Sequence, residues 1–474
     1  MIFSLHQKLK KREISSVEIT QEAIHQAKKS NCNAFISLTE DYALEQAKHC
    51  DEKKEFKTYL TGIPFSLKDL FVTKGIRTTA GSKILYNYIP PYEGYISEKL
   101  QKAGSVLIGK VGCDEFGMGS TNEYTPYGPV LNPLNKEFIA GGSSGGSAAS
   151  VAESSSFYSM GTDTGGSIRL PANFCGLVAL KPSYGRVSRY GQIAFASSLD
   201  QSSPIAKTTL DVACIMEQIT EHDVRDATHA EIPAMNIVQE LLNISPHYLK
   251  GKKIGFTPSF IDSCQEEVKK SLLSALDIFK KLGAILIPVE LPYAKYAVPT
   301  YYIIATSEAS TNLARMDGVR FGLRKASQGN LEETYALSRT EGFGAEVKRR
   351  ILLGTFSLSS GYYDAYYTKA CKVRRLMSQD FENAFSQVDV IFSPVCASSA
   401  FKKGEAIKDS VQVYMNDLYT IPVNLAGLPA LALPFGKGAE GMPTGFQLIA
   451  KSFQDEELLR WGQAFEKAQG VSYA

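Results

Sequence analysis

Histidine is scarce in this sequence, cysteine never pairs, and neither sign of charge prevails. There are 6 histidines, and none lies between His49 and His222. The nearest two, His222 and His229, stand apart in a polar stretch, so no ligand spacing for a metal ion is present. The 8 cysteines, from Cys32 to Cys396, are scattered and form no CxxC pair. That excludes a zinc ribbon and a thioredoxin-type motif, and it predicts reduced thiols of an intracellular protein. Lys+Arg of 51 against Asp+Glu of 49 leaves a formal +2, too little for the basic field that nucleic acid attracts. If the protein serves RNA, another chain holds the RNA. No apolar run reaches the ~18 residues of a membrane span. Met1 to Arg12, a short apolar patch followed by lysines, lacks the core and cleavage site of a secretory signal. A soluble cytoplasmic protein is expected, with an organelle matrix as the second option.

What is there suits a large folded chain. The 474 residues, 44% hydrophobic and 21% charged, can bury a sizeable core without staples. Ser15 and Glu18 form a capping-box pattern behind Ile14, and a further helix is expected from Thr39, with Glu40 and Asp41 in its first turn. The first 55 residues therefore read as a helical layer on a larger core. Ser105–Gly109 and Lys253–Phe256 read as strands. Glu266 to Leu282 carries apolar residues at helical spacing and stops at Gly283, and Ala284–Ile287 is strand again. This β-α-β unit predicts an α/β fold with parallel pairing. Asp455 to Ala468 predicts a closing amphipathic helix, and Glu221–Ile232 a loop.

The densest signal is Gly141-Gly142-Ser143-Ser144-Gly145-Gly146-Ser147, followed by Gly161-Thr162-Asp163-Thr164-Gly165-Gly166-Ser167-Ile168-Arg169. Phosphate binding is disfavoured: Gly141 and Gly146 have P-loop spacing, but Ser147 stands where the lysine belongs. A flexible linker is disfavoured because Phe157, Tyr158 and Met160 lie between the clusters. Nucleophilic catalysis fits better. Glycines admit a ligand close to the backbone, and consecutive N–H groups beside a serine can hold an oxyanion. The serine needs a base. A distant histidine could supply it. Lysine is the other attested partner, and Lys68 ends the apolar run Gly62-Ile63-Pro64-Phe65-Ser66-Leu67, an odd place for a solvated lysine.

In these motifs, including the 24-residue step from Ser143 to Ser167, the sequence resembles the amidase signature enzymes. The resemblance implies one large α/β domain spanning 1–474, a mixed β-sheet sandwiched between helices. It also implies a Ser–cis-Ser–Lys triad: Ser167 as nucleophile, Ser143 on a cis peptide as proton relay and Lys68 as base. Ser144 is read as a supporting hydroxyl, and the oxyanion donors as backbone N–H groups of Thr164, Gly165 and Gly166, with Ser167 itself. A lysine base must be neutral, although its ordinary pKa is near 10.4. Lowering it by ~3 units costs about 4 kcal/mol, which burial and the serine hydroxyls must supply.

Further segments narrow the resemblance. They are Lys181–Gly191, Ala194–Gln201, Glu308–Arg315 with Asp317-Gly318, Gly354-Thr355-Phe356, Asn416-Asp417-Leu418 and Pro422–Pro429. Together they are most similar to the glutaminase subunits of the glutamyl/aspartyl-tRNA amidotransferases. That likeness implies hydrolysis of glutamine and delivery of ammonia to a B subunit. There, with ATP and Mg²⁺, misacylated Glu-tRNA(Gln), and often Asp-tRNA(Asn), is amidated; a small C subunit completes a heterotrimer. This chain would need no cofactor or metal of its own. Glutamine's α-carboxylate needs a bidentate arginine and its α-ammonium a carboxylate. By position, the family's glutamine contacts fall on Tyr301, Arg350 and Asp417, with Arg349 one residue away. Two departures concern packing near the site: the polar, bulky Glu153–Tyr158, and Cys113 and Gly117 around Asp114-Glu115-Phe116. A stand-alone amidase for a small or aryl amide is the first alternative, and a catalytically silent scaffold protein the second.

Overall fold

The computed structural model describes residues 1–53, 55–326, 330–405 and 416–471. Its frame is one mixed sheet of 11 strands. In chain order these are β1 (Phe35–Leu38), β2 (Pro64–Lys68), β3 (Val106–Val111), β4 (Tyr158–Asp163), β5 (Val178–Lys181), β6 (Gln201–Ala206), β7 (Lys253–Phe256), β8 (Ile285–Pro288), β9 (Val390–Pro394), β10 (Ala430–Lys437) and β11 (Pro443–Ile449). The spatial order is β1-β3-β2-β4-β6-β5-β10-β11-β9-β7-β8. Parallel pairs β3-β2-β4 lie toward one end and β9-β7-β8 at the other, joined by an antiparallel centre.

Alternate residues of the strands enter different apolar clusters, so both faces of the sheet are covered. Leu107, Val178, Leu180, Leu431 and Phe446 join the largest cluster, with the helices Thr209–Ile219, Glu266–Lys281 and Asp455–Ala468. Their neighbours Val106, Ile108, Ala179, Ala430 and Ile449 pack into others. Strands buried on both faces read as continuous apolar runs, which is why β2 and β3 are almost without solvent-facing positions.

The predicted β-α-β unit is present: β7 and β8 are parallel and joined through the Glu266–Lys281 helix. The Ser15/Glu18 capping box is formed in both directions, and the closing helix runs Asp455–Ala468. The helical reading of the first 55 residues needs one correction. Helices Ile2–Lys11, Ser16–Lys29 and Glu40–Lys53 are there, but Phe35–Leu38 between them is a strand, antiparallel to β3 at the sheet edge.

The topology brings the chemistry to one place. Adjacent parallel strands β2 and β4 end side by side, with Leu67 opposite Met160. Lys68 is the last residue of β2, and Thr162 and Asp163 are the last two of β4. Ligand sites in parallel α/β sheets lie at such carboxyl ends.

Candidate active site

Lys68 is fully buried, and its Nζ lies 2.8 Å from Ser143 Oγ, 2.9 Å from Ser144 Oγ and 2.7 Å from Thr162 Oγ1. Burial pushes its pKa down to about 8, although Cys113, Asp114, Asp163 and Asp200 around it favour the charged form. A protonated Lys68 donates to all three hydroxyls. A neutral one has a lone pair free to take a proton from one of them. Ser144 is the wrong one, because its own hydroxyl donates to the Thr162 carbonyl at 3.1 Å. Its amide donates to the Ser167 carbonyl at 3.0 Å, tying the two glycine-serine segments together. Ser143 is the remaining serine, and the Gly142–Ser143 peptide bond is cis, as the resemblance implied. Gly142 is held where no side chain fits: an added Cβ would stand 2.2 Å from Asp114 Oδ2. That carboxylate in turn accepts the amides of Asn122 and Tyr124.

Ser167 sits in the turn between β4 and the Arg169–Cys175 helix. Gly166 gives this turn its shape, with φ +134°, a conformation essentially reserved for glycine. Asp163 braces it from inside. Its carboxylate takes Arg169 Nε at 2.9 Å and Nη2 at 3.0 Å, Asn424 Nδ2 at 2.8 Å and the Gly166 amide at 2.9 Å. Burial alone would raise the pKa of Asp163, but Arg169 and its other partners hold it at about 2. Of the N–H groups expected to hold an oxyanion, that of Gly166 also donates to Asp163. Among the described residues, no hydrogen bond takes up the N–H groups of Thr164, Gly165 or Ser167.

The three residues expected to hold glutamine are buried around the same turn. A Cβ on Gly165 would lie 2.8 Å from Cζ of Tyr301, so that ring closes directly over the turn. A Cβ on Gly166 would lie 3.3 Å from Asp417 Oδ1. Asp417 receives Ser120 Oγ at 2.5 Å, and burial pushes its pKa up to about 7. Arg350 is buried on the Ala345–Ser357 helix, above the rings of Phe195 and Tyr302. Its Nε donates to Glu346 at 2.8 Å, and its charge bears on Tyr301 and Asp417. Its neighbour Arg349 points outward, with its side chain 52% exposed. Of the two arginines, Arg350 is the one brought to the site.

Sequence reasoning missed Thr162, the third hydroxyl on Lys68, and Ser120, the partner of Asp417. Thr162 stands inside a motif already singled out, but only the pairing of β2 with β4 turns its hydroxyl toward Lys68. No signal marked Ser120. The departures noted in the sequence find local accommodation. Ser66, Ser150 and Ser156 satisfy one another beneath the site at 2.8 to 3.2 Å. The Cys113 thiol is pushed up to about 12 by burial, which leaves it an apolar filler rather than a nucleophile.

A sequence model of the family described as Amidase matches residues 18–459. The A subunit of the glutamyl-tRNA(Gln) amidotransferase of Geobacter sp. (strain M21) is 49% identical over 98% of this chain and 96% of its own. The crystal structure of the corresponding A subunit of Thermotoga maritima superposes with a TM-score of 0.79 at 39% identity, covering 95% of this chain and 91% of that one. The peptide amidase of Stenotrophomonas maltophilia superposes at 0.83 with 25% identity, covering 99% and 97%. The chain belongs to the amidase signature family.

Proposed function

We propose that this chain is the glutaminase component of a glutamyl-tRNA(Gln) amidotransferase. The observation that carries the reading is the enclosure of Arg350 and Asp417 beside the Lys68–Ser143–Ser167 group. A buried cation and a buried anion match the α-carboxylate and α-ammonium of a free amino acid. A peptide or aryl amide has no use for both. The near-half identity to the Geobacter A subunit over almost the whole chain supports the same conclusion.

Tyr301, Arg350 and Asp417 orient glutamine so that its side-chain amide meets Ser167. Neutral Lys68 takes the Ser143 proton while Ser143 takes that of Ser167, and Ser167 Oγ bonds to the amide carbon. The N–H groups of Thr164, Gly165, Gly166 and Ser167 hold the oxyanion. The proton returns along the same path to the amide nitrogen, which leaves as ammonia. Water then cleaves the γ-glutamyl ester, releasing glutamate. Ser144 and Thr162 keep Lys68 aligned. The ammonia passes to partner B and C subunits, where ATP and Mg²⁺ activate Glu-tRNA(Gln), and Asp-tRNA(Asn) where it is served. We further read 1–474 as a single domain, supported by the continuous sheet, and place its work in the cytoplasm with the rest of tRNA charging. Among the described residues no helix is long and apolar enough to cross a membrane.

The test is glutamate release from glutamine by the chain alone and with the B and C subunits, Glu-tRNA(Gln), ATP and Mg²⁺. Stimulation by the full system, lost in Ser167→Ala, is expected. Cleavage of simple amides by the free chain, with no glutaminase activity in either setting, overturns the reading.

A further inference from the structure

Glu115 is a buried carboxyl that the proposed reaction does not use, and it stands between two halves of the site. Its own segment belongs to the triad side. The amide of Asp114 donates to the Ser143 carbonyl at 3.3 Å, and a Cβ on Gly117 would lie 3.6 Å from Ser143 Oγ. Its side chain reaches the other half. Oε2 accepts the Gly344 N–H at 2.9 Å, and Gly344 is the N-cap residue of the Ala345–Ser357 helix, which carries Arg350. Oε1 accepts the Ser82 hydroxyl, which also lies 3.3 Å from the Gly342 carbonyl. The Phe116 and Phe343 rings meet edge-on beside this contact, 5.7 Å apart.

The Arg350 helix is thus held at both ends. Toward its C-terminal end, a Cβ on Gly354 would stand 1.9 Å from the Thr306 carbonyl oxygen, so the helix lies directly against the Ala297–Asn312 helix, which carries Tyr301. At its start the cap residue is a glycine, with no side chain to bond the first turn. The carboxyl that fastens this end comes from 229 residues away in sequence. Arg350 lies between the two fixed points.

We infer that Glu115 is a positioning residue for glutamine: by holding the start of the Ala345–Ser357 helix, it sets where Arg350 meets the substrate's α-carboxylate. The inference rests on the functional reading above, which gives Arg350 that task. The contact needs an acceptor for Gly344 rather than a charge. Burial pushes Glu115 up to about 7, against the pull of Ser82, Gly344, Lys348 and Lys83, so both forms are present near neutral pH. A protonated carboxyl keeps the Gly344 bond and donates to Ser82, whose own proton then goes to the Gly342 carbonyl. The effect falls on binding rather than on the chemical step, because the triad side has backbone bonds of its own. The Glu115 amide donates to the Tyr124 carbonyl at 2.7 Å and that of Phe116 to Ala80 at 2.8 Å.

The experiment measures glutamine hydrolysis by the wild-type chain, Glu115→Ala, Glu115→Gln and Gly344→Ala, each with the B and C subunits, Glu-tRNA(Gln), ATP and Mg²⁺. In Glu115→Ala, KM for glutamine is expected to rise about tenfold with kcat within about twofold of wild type, as when binding common to ground and transition states is lost. In Glu115→Gln the amide oxygen accepts from Gly344 and the NH2 donates to Ser82, so KM is expected to return close to that of wild type. Gly344→Ala disturbs the contact from the other side. Its Cβ would stand 2.5 Å from Glu115 Oε2, while the backbone there, at φ −70° and ψ 168°, admits alanine. KM is expected to rise with Glu115 still present, and if Glu115→Ala does not fold, Gly344→Ala decides alone. Inhibition by 4-aminobutanamide, which is glutamine without its α-carboxylate, is expected to be the same in all four proteins. An unchanged KM in Gly344→Ala and in a folded Glu115→Ala overturns the inference. So does a rise that glutamine at position 115 does not reverse, or a loss of kcat and of 4-aminobutanamide inhibition in step with KM, which makes Glu115 a support of the whole site. A wild-type chain that hydrolyses no glutamine in this setting overturns the functional reading itself.

Discussion

Two of the buried groups that change charge near neutral pH, Lys68 and Asp417, carry the proposed reaction, which needs both deprotonated. Lys68 must be neutral to accept a proton, and burial has brought it to about 8. In the proposed reading Asp417 must be ionised to hold the α-ammonium, and burial has raised it to about 7. For the free enzyme and free substrate, kcat/KM therefore climbs with pH along two limbs. It rises tenfold for each group per pH unit, steeply below about 7, less steeply from about 7 to about 8, and then levels. Under saturating glutamine, the bound ammonium holds Asp417 ionised, so kcat keeps only the limb near 8. Asp417→Asn is expected to raise KM and to reduce the kcat/KM profile to that one limb. Rate profiles from about pH 6 to about 8.5 check both statements, and a flat wild-type profile rules out a lysine base of this kind. The residues of the proposed triad were legible because each stands in a long motif. Thr162 and Ser120 were not, because a hydroxyl's partner depends on which strands pair and which loops meet. The contact of the Gly166 amide with Asp163 was hidden for the same reason: sequence supplies the donor, but the carboxylate beside it depends on the turn.

At the scale of elements, the Asp163–Arg169 pair joins the end of β4 to the helix that follows the nucleophile. Arg169 also bonds Gln447 Oε1 at 2.7 Å, on β11, and Asn424 Oδ1 at 2.5 Å. One guanidinium thus fastens the catalytic turn to two segments far along the chain. Asp163 has its pKa depressed to about 2, so the stability it contributes is full above the ordinary carboxylate range and is lost as pH falls through about 2. Asp163→Asn leaves Arg169 buried without its counter-charge. The expected loss is about 3–5 kcal/mol at neutral pH, read as a lower urea midpoint, with glutaminase activity falling as the turn loosens. A midpoint equal to that of wild type would mean that Arg169 is neutralised by other means. The helix at Ser15, the β7–β8 unit and the last helix were legible because caps and periodicity are local. Strand β1 was not. Its four residues are half-buried without alternation, and its partner β3 lies far downstream, beyond two helices and β2, so only tertiary pairing makes it a strand.

At the scale of the whole molecule, the site draws on Lys68, the two glycine-serine segments, Tyr301, Arg350 and Asp417, so nearly the entire chain must be in place before it exists. No local pattern announces such a convergence; the order of the 11 strands was beyond the sequence because each swap of neighbours satisfies the same apolar runs. The single tryptophan offers a way to test how far the molecule acts as a unit. Trp461 is fully buried on the closing helix, 5.9 Å from the Phe279 ring and bonded through Nε1 to Glu457 at 3.0 Å. It belongs to the largest apolar cluster, whereas Tyr301 and the residues under it belong to another. Urea unfolding followed by Trp461 emission therefore reports one face of the sheet. Labelling of Ser167 by an amide-directed acylating probe reports the other region. Because Lys68 and the turn carrying Ser167 end β2 and follow β4, whose Leu67 and Met160 belong to the Trp461 cluster, the two curves are expected to share a midpoint and slope. Separated midpoints, with labelling lost first, would make the catalytic region an independently melting unit. The single-domain reading of 1–474 would then give way to two.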